Sequence, residues 1–323
     1  MPAVQVEKLL GDLAQVWLDL GKQQEEGGVM RACAMTLIAL VEELVEETKG
    51  GADVSETVAG IMQDYPSRAI VVRVDGASNE IDAHASAFCW KPFGRRQQIC
   101  CEQIGFRTSR DRLAGVSSLL RGLTVPNLPV VLWARSPALL SLDGFLEIAG
   151  LADKVIVESR GEENWRRLAN QVRALLDSGK AAADLAWTRI TRWRALIAQI
   201  FEDSALAGRA GDIRKITISH SSPEPGPAAT YLATWIRLCL GGAIETGFRV
   251  SPRTVTWQIQ EVRLEGPGID VYLHRAERGL VDVRAGSLKT CALFRQLREA
   301  DLLREELSIL DPDPTFVKVL EAL

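Results

Sequence analysis

The chain has 323 residues, enough for two domains of ordinary size. Its 47% apolar and 25% charged residues are the balance of a globular protein with real cores. Its 42 acidic and 38 basic side chains give a formal charge of −4 with no basic block, which argues against nucleic acid as a partner. Apolar runs such as CAMTLIALV (33–41) fall far short of the roughly 18 residues of a membrane span, so no membrane partner is expected. The start, MPAVQVEKLLGDLAQ, lacks the basic-then-apolar pattern of a secretion signal. A cytoplasmic location is therefore expected, with the six cysteines (33, 89, 100, 101, 239 and 291) mostly free thiols in a reducing compartment.

The opening is helical, with Leu9, Leu10, Leu13, Val16, Trp17 and Leu20 at helical spacing. CAMTLIALVEELVEETKGG reads as a strand running into a helix, and DVSETVAGIMQD as a short helix. SRAIVVRVD (67–75) and QQICCEQIGFRT (97–108) are strands, and RDRLAGVSSLLRGLT (110–124) is an amphipathic helix. LPVVLWAR (128–135) is a third strand, SLDGFLEIAGLA a helix capped by Ser141 or Asp143, and DKVIVES (153–159) a fourth strand. GEENWRRLANQVRALLDSGK (161–180) is a helix stopped by Gly179. Strands alternating with helices predict an α/β domain over residues 1–180, a mostly parallel sheet flanked by helices. The boundary falls in DSGKAAADLAW.

Residues 181–323 read as a smaller α+β domain. DLAWTRITRWRALIAQIFED is a long helix, IRKITISH a strand, SSPEPGP a loop and AATYLATWIRLCLGG a helix. TVTWQIQEVRLEG, IDVYLHRAE and GLVDVRAG alternate apolar and polar residues between short glycine turns, the pattern of an antiparallel meander. LKTCALFRQLREADLLREELSIL and PTFVKVLEAL read as closing helices.

Chemistry-bearing residues are sparse. Neighbouring side chains on a strand face opposite ways, so Cys100 and Cys101 read as buried packing thiols rather than a redox pair. His84, Cys89, Cys100 and Cys101 form a possible metal set, but they lack the C-x-x-C or H-x-x-x-H spacing of a zinc site, so no metal and no cofactor is expected. Glu102 and Gln103 read as the polar end of a parallel strand, where such sheets place ligands or partners, or as an ion pair with Arg68 or Arg107. Arg68 is an anion clamp or a turn residue. Trp133 and Arg135 are interface anchors, or core packing in the case of Trp133. The strand–loop–helix over 218–235 offers a helix N-terminus to an anion, yet matches neither G-x-G-x-x-G nor G-x-x-x-x-G-K-[ST]. Trp165, Trp187, Trp193, Trp235 and Trp257 read as core. With three lone histidines and no nucleophile elbow, no catalytic residue is assigned and the chain is read as a non-enzyme. The alternative is a sugar-phosphate- or nucleotide-binding enzyme using Arg68, Glu102 and Arg135 at the carboxyl edge of the first sheet.

YPSRAIVV, QICCEQIGF, NLPVVLWARSP and LADKVIVESRG, in this order, resemble the OpcA family, the glucose-6-phosphate dehydrogenase assembly proteins of bacteria. The later DLAWTRITRWRALIAQIFED and IRKITISH are also similar, so the resemblance spans roughly residues 30–275. It implies a non-catalytic partner that binds glucose-6-phosphate dehydrogenase, promotes its active oligomer and activates it allosterically in the oxidative pentose phosphate pathway. Arg68, Glu102, Gln103, Trp133 and Arg135 are the residues assigned to partner contact. LWARSP lacks the second aromatic that family members often carry after the tryptophan. Thiol control through thioredoxin is implied for cyanobacterial members; here Cys239 and Cys291, read on helices, have no nearby partner in sequence.

Overall fold

A computed structural model of the chain describes residues 6–23, 28–42, 53–75, 83–94, 96–251, 259–276, 279–295 and 297–323. The helix expected after residue 42 and Trp257 lie outside the described residues. The chain forms two compact units interleaved in sequence. The first takes residues 1–158, 175–183 and 299–311, and the second 159–174, 184–298 and 312–323.

The first unit is built on an eight-stranded sheet. Its strands are β1 (Val29–Arg31), β2 (Met35–Glu42), β3 (Ser67–Asp75), β4 (Ala83–Trp90), β5 (Gln98–Ser109), β6 (Val130–Ala134), β7 (Lys154–Val157) and β8 (Ala181–Asp184). The order is β1-β5-β3-β2-β6-β7-β8, with β4 on β5. Pairing is parallel from β5 through β3, β2 and β6 to β7, while β4 runs antiparallel to β5. The parallel α/β architecture is as the sequence predicts. Every residue of β2, β6 and β7 is buried, which is why these strands read as unbroken apolar runs.

Three local departures have physical causes. The helix Phe145–Leu151 is not capped by Ser141 or Asp143; Gly144 takes the capping position at φ 91°, and a Cβ there would lie 2.3 Å from the Ala114 backbone. β4 and β8 were not expected as strands: β4 is half-buried and mixed in composition, and β8 is the four-residue AAAD. The stretch after β4 returns the chain to β5 and sets Cys89 directly opposite Cys100.

In the second unit β9 (Lys215–His220), β10 (Glu245–Val250), β11 (Ile259–Gly266), β12 (Ile269–Arg275), β13 (Leu280–Ala285) and β14 (Leu288–Leu293) form a six-stranded sheet in the order β10-β9-β11-β12-β13-β14. The predicted meander is β11 to β13. It continues into β14, which replaces the first part of the expected closing helix, so Cys291 sits on a strand. The two-residue turn Gly286–Ser287, with Gly286 at φ 58°, makes that hairpin. β9 joins parallel β10 through the helix Pro227–Leu240. The long helix expected over 184–203 is two helices, Leu185–Thr188 and Thr191–Ile200. Trp187, Tyr231 and Phe316 form an aromatic core cluster, with Trp165 edge-on to Tyr231.

Candidate functional site

The five residues assigned to partner contact fall at two opposite ends of the first sheet. Arg68 stands second in β3, in register with Thr36 near the start of β2, and Glu102 lies at that same amino edge. Trp133 and Arg135 sit at the carboxyl end of β6, where the Arg135 amide bonds to Leu40 O. The two groups are separated by about five residues of strand, or ~17 Å. A single ligand at the carboxyl edge held by Arg68, Glu102 and Arg135 together is therefore ruled out, because β5 runs on past Glu102 for seven more residues.

Glu102 is 3% exposed and its carboxylate is fully occupied. Arg68 Nε donates to Oε2 at 2.6 Å, while Arg31 Nη2 and Trp17 Nε1 each reach Oε1 at 2.7 Å. Arg68 also donates to Leu123 O at 2.9 Å, tying the helix Val116–Leu123 to the sheet. Gln103 is half-buried beside them and Cys101 is buried, its thiol pushed up to about 11 by burial. At the other edge Trp133 is fully buried, and its indole N–H finds no acceptor among the described residues. Arg135 lies over the Trp133 ring and pairs with Glu299 at 3.0 Å. Glu42 accepts from Arg110 and Ser136.

The four possible ligands weighed from the sequence, His84, Cys89, Cys100 and Cys101, are put to other uses. Cys89 and Cys100 are joined as a disulfide across the β4–β5 ladder, with Cα atoms 4.1 Å apart. Cys33, Cys101, Cys239 and Cys291 are free, so most of the six are thiols as expected, and Cys89 and Cys100 depart from that expectation. The sequence reading missed the pair because it did not recognise β4, and directly opposed antiparallel residues are close enough to bond. His84 lies on Gly105, whose missing Cβ makes room for the ring. No group that could hold a metal occurs among the described residues.

The second unit presents a different kind of surface. One face of its sheet is core: Ile216, Ile218, Val262, Leu264, Val271, Leu273, Val281 and Val283 are buried. Register puts Ser219, Glu261, Arg263, Tyr272, His274, Asp282 and Arg284 together on the other face. This face encloses a hollow of ≈ 1570 Å³, open to solvent. Its centre is ordered. Glu261 accepts from Ser219 Oγ at 2.9 Å and from the Tyr272 hydroxyl, and His274 Nδ1 lies 3.3 Å away. Burial pushes the Glu261 carboxyl up, but the bonds from Tyr272 and Ser219 and the neighbouring His274 outweigh it and hold the group below its ordinary value. Burial and Glu261 together push Tyr272 up to about 12. Arg263 is bidentate to Asp270 at 2.9 and 3.0 Å. Exposed Cys291, opposite Asp282, belongs to the same face. The sequence reading did not assign these residues a role; the strict alternation of β11–β13 was the available signal.

No helix among the described residues is long and apolar enough to cross a membrane. Two family models match the chain in succession. One, described as the N-terminal domain of a glucose-6-phosphate dehydrogenase subunit, matches residues 58–175; the other, described as its C-terminal domain, matches residues 180–320. Curated relatives carry the description putative OxPP cycle protein OpcA. One from Synechocystis sp. is 27% identical over 58% of this chain and 39% of its own length. One from Nostoc punctiforme is 24% identical over 72% of this chain and 52% of its own. The chain thus spans about half or less of these relatives. Among solved structures, an NAD binding oxidoreductase from Klebsiella pneumoniae aligns over 90% of this chain and 94% of its own, at 10% identity and a TM-score of 0.48, a likeness too low to bear on chemistry. With both domain models matched in order, this chain belongs to the OpcA family.

Proposed function

We propose that the chain is a non-catalytic cytoplasmic partner of glucose-6-phosphate dehydrogenase, with residues 1–180 and 181–323 as its two domains. It binds the enzyme, promotes its active oligomer and activates it. The observation that carries this reading is that both matched domain models are described as domains of a glucose-6-phosphate dehydrogenase subunit. An activator must hold the active state of its target more tightly than the inactive state. A coupling of about 1–3 kcal/mol gives a 5–150-fold shift without any catalytic residue.

The uncovered face of the second sheet is the contact surface in this proposal. It carries tyrosine and arginine, the side chains enriched at protein contacts. The Glu261 network and the Arg263–Asp270 fork fix side chains in advance, so less freedom is lost on binding. Arg68, Glu102, Gln103, Trp133 and Arg135 act in support, by holding the two edges of the first sheet rigid.

Thiol footprinting tests the surface. Cys239 and Cys291 are both exposed, but only Cys291 lies on the open face. Saturating enzyme should slow alkylation of Cys291 at least severalfold and leave Cys239 unaffected. Equal alkylation of Cys291 with and without a bound enzyme would remove this face from the interface.

A further inference from the structure

The open face of the second sheet carries a charge pattern that the fold does not resolve. Register places Thr217, Arg263, Tyr272, Arg284 and Lys289 in one row across β9, β11, β12, β13 and β14. Arg249, on β10, stands beside Ser219 in the next row. All of these side chains line the hollow. Water-sized groups can enter ≈ 840 Å³ of it, so an occupant can rest on its floor.

Most carboxylates of this face are already committed. Asp270 and Glu265 pair with Arg263, Glu261 accepts from Ser219 and Tyr272, and Glu245 pairs with Lys215. Asp282 stands opposite His274 and Cys291, outside the lining of the hollow. Arg249, Arg284 and Lys289 are exposed and form no ion pair among the described residues. Arg284 and Lys289 are also directly opposed, a cross-strand pairing of like charges that costs stability. A local rule broken with no compensation inside the fold points to a compensating group outside it. The floor repeats the pattern. Thr217 is 5% exposed, and its hydroxyl has no hydrogen-bond partner among the described residues.

The spacing of the three cations selects the kind of occupant. From β10 to β13 is four strand spacings and to β14 five, or ~19 and ~24 Å. A lone phosphate or carboxylate meets one end of that span at most. An extended peptide covers ~24 Å with about seven residues, and alternate side chains face the same way. Carboxylates carried on a protein segment can therefore meet Arg249 at one end and Arg284 with Lys289 at the other. Opposite charges arranged in this way steer encounter and fix the register of a contact. We infer that the hollow docks a carboxylate-rich segment of a protein partner, with Arg249 and the Arg284–Lys289 pair as its two anchor points. For the identity of that partner the inference rests on the partnership with glucose-6-phosphate dehydrogenase proposed above; the class of ligand rests on the charge pattern alone.

The test uses the full chain and two double charge reversals. Arg284→Glu/Lys289→Glu alters the hollow, and Arg121→Glu/Arg167→Glu makes the same change of net charge outside it. All four residues are exposed, so the fold is retained in both variants. In the first arm a fluorescein-labelled poly-L-glutamate peptide is titrated with the chain alone at low salt, and its anisotropy is read. Saturable binding is expected, weakened at least about tenfold by the reversal in the hollow and less than about twofold by the control. No saturable binding, or an equal loss in both variants, overturns the inference. So does displacement of the peptide by pyrophosphate at a lower concentration than by unlabelled peptide, since the occupant would then be a phosphate. In the second arm the dissociation constant of the complex with glucose-6-phosphate dehydrogenase is measured with the same variants. An affinity unchanged by Arg284→Glu/Lys289→Glu overturns the inference and leaves the partnership standing. Peptide binding at the hollow without enzyme binding supports the class of ligand and removes the partnership.

Discussion

The two sheets use charge in opposite ways. In the first unit the ionisable side chains at the sheet edges turn inward. Glu102 is enclosed by Arg68, Arg31 and Trp17, Glu42 by Arg110 and Ser136, and Lys154 by Glu306 and two carbonyls. In the second unit the charges of the sheet itself, Glu261, Arg263, Asp270 and Arg284 among them, stand on an open face. Charge in the first unit is therefore consumed inside the fold, while the charge on the second sheet is left facing solvent. The difference teaches that an arginine at the end of a strand is no guide to function until its partner is known.

The strongest way to break this comparison is Glu102→Leu. It leaves the 9%-exposed Arg68 side chain with no carboxylate, and removing one member of a buried pair costs about 3–5 kcal/mol. Urea unfolding should show a loss of that order. A change below about 1 kcal/mol would mean that the pair is screened like a surface one. Next comes the disulfide. Cys89 and Cys100 close a loop of sequence separation 11, so reduction should lower stability by about 3 kcal/mol, read as a drop in the melting temperature of the first unit.

Tyr231→Phe removes the hydroxyl that donates to buried Asp184 at 2.9 Å, and its expected cost is about 1–2 kcal/mol. The smallest stability effect belongs to the open face. Arg263→Ala breaks an exposed ion pair and should change stability by no more than about 0.5 kcal/mol, while weakening enzyme binding measurably. A large stability loss there would erase the distinction between the two units. The pH response sharpens it further. Glu261 has a folded value below its ordinary 4.5, so its stabilisation is complete above that pH and is lost as pH falls through the folded value. Glu261→Gln should flatten that acid limb of the stability curve.

Much of the fold was legible because buried parallel strands are apolar throughout. β3 begins at Ser67 and ends at Asp75, the limits its β-branched run predicts. β4 and β14 were not legible by hydrophobicity, since one is half-buried and the other exposed along most of its length. The Gly286–Ser287 turn was the overlooked clue for β14. The site was harder. Glu102 is polar in an apolar run, and that anomaly was visible, but whether an arginine meets it from inside or a partner from outside depends on register.

The central claim is that this chain acts on glucose-6-phosphate dehydrogenase through surface contact and performs no chemistry of its own. The most direct measurement is the enzyme's initial rate at subsaturating glucose 6-phosphate, titrated with the purified chain. The account predicts a saturable rise, blunted by Arg263→Ala, and no turnover by the chain alone. A flat titration, or NADP reduction by the chain without the enzyme, would contradict it.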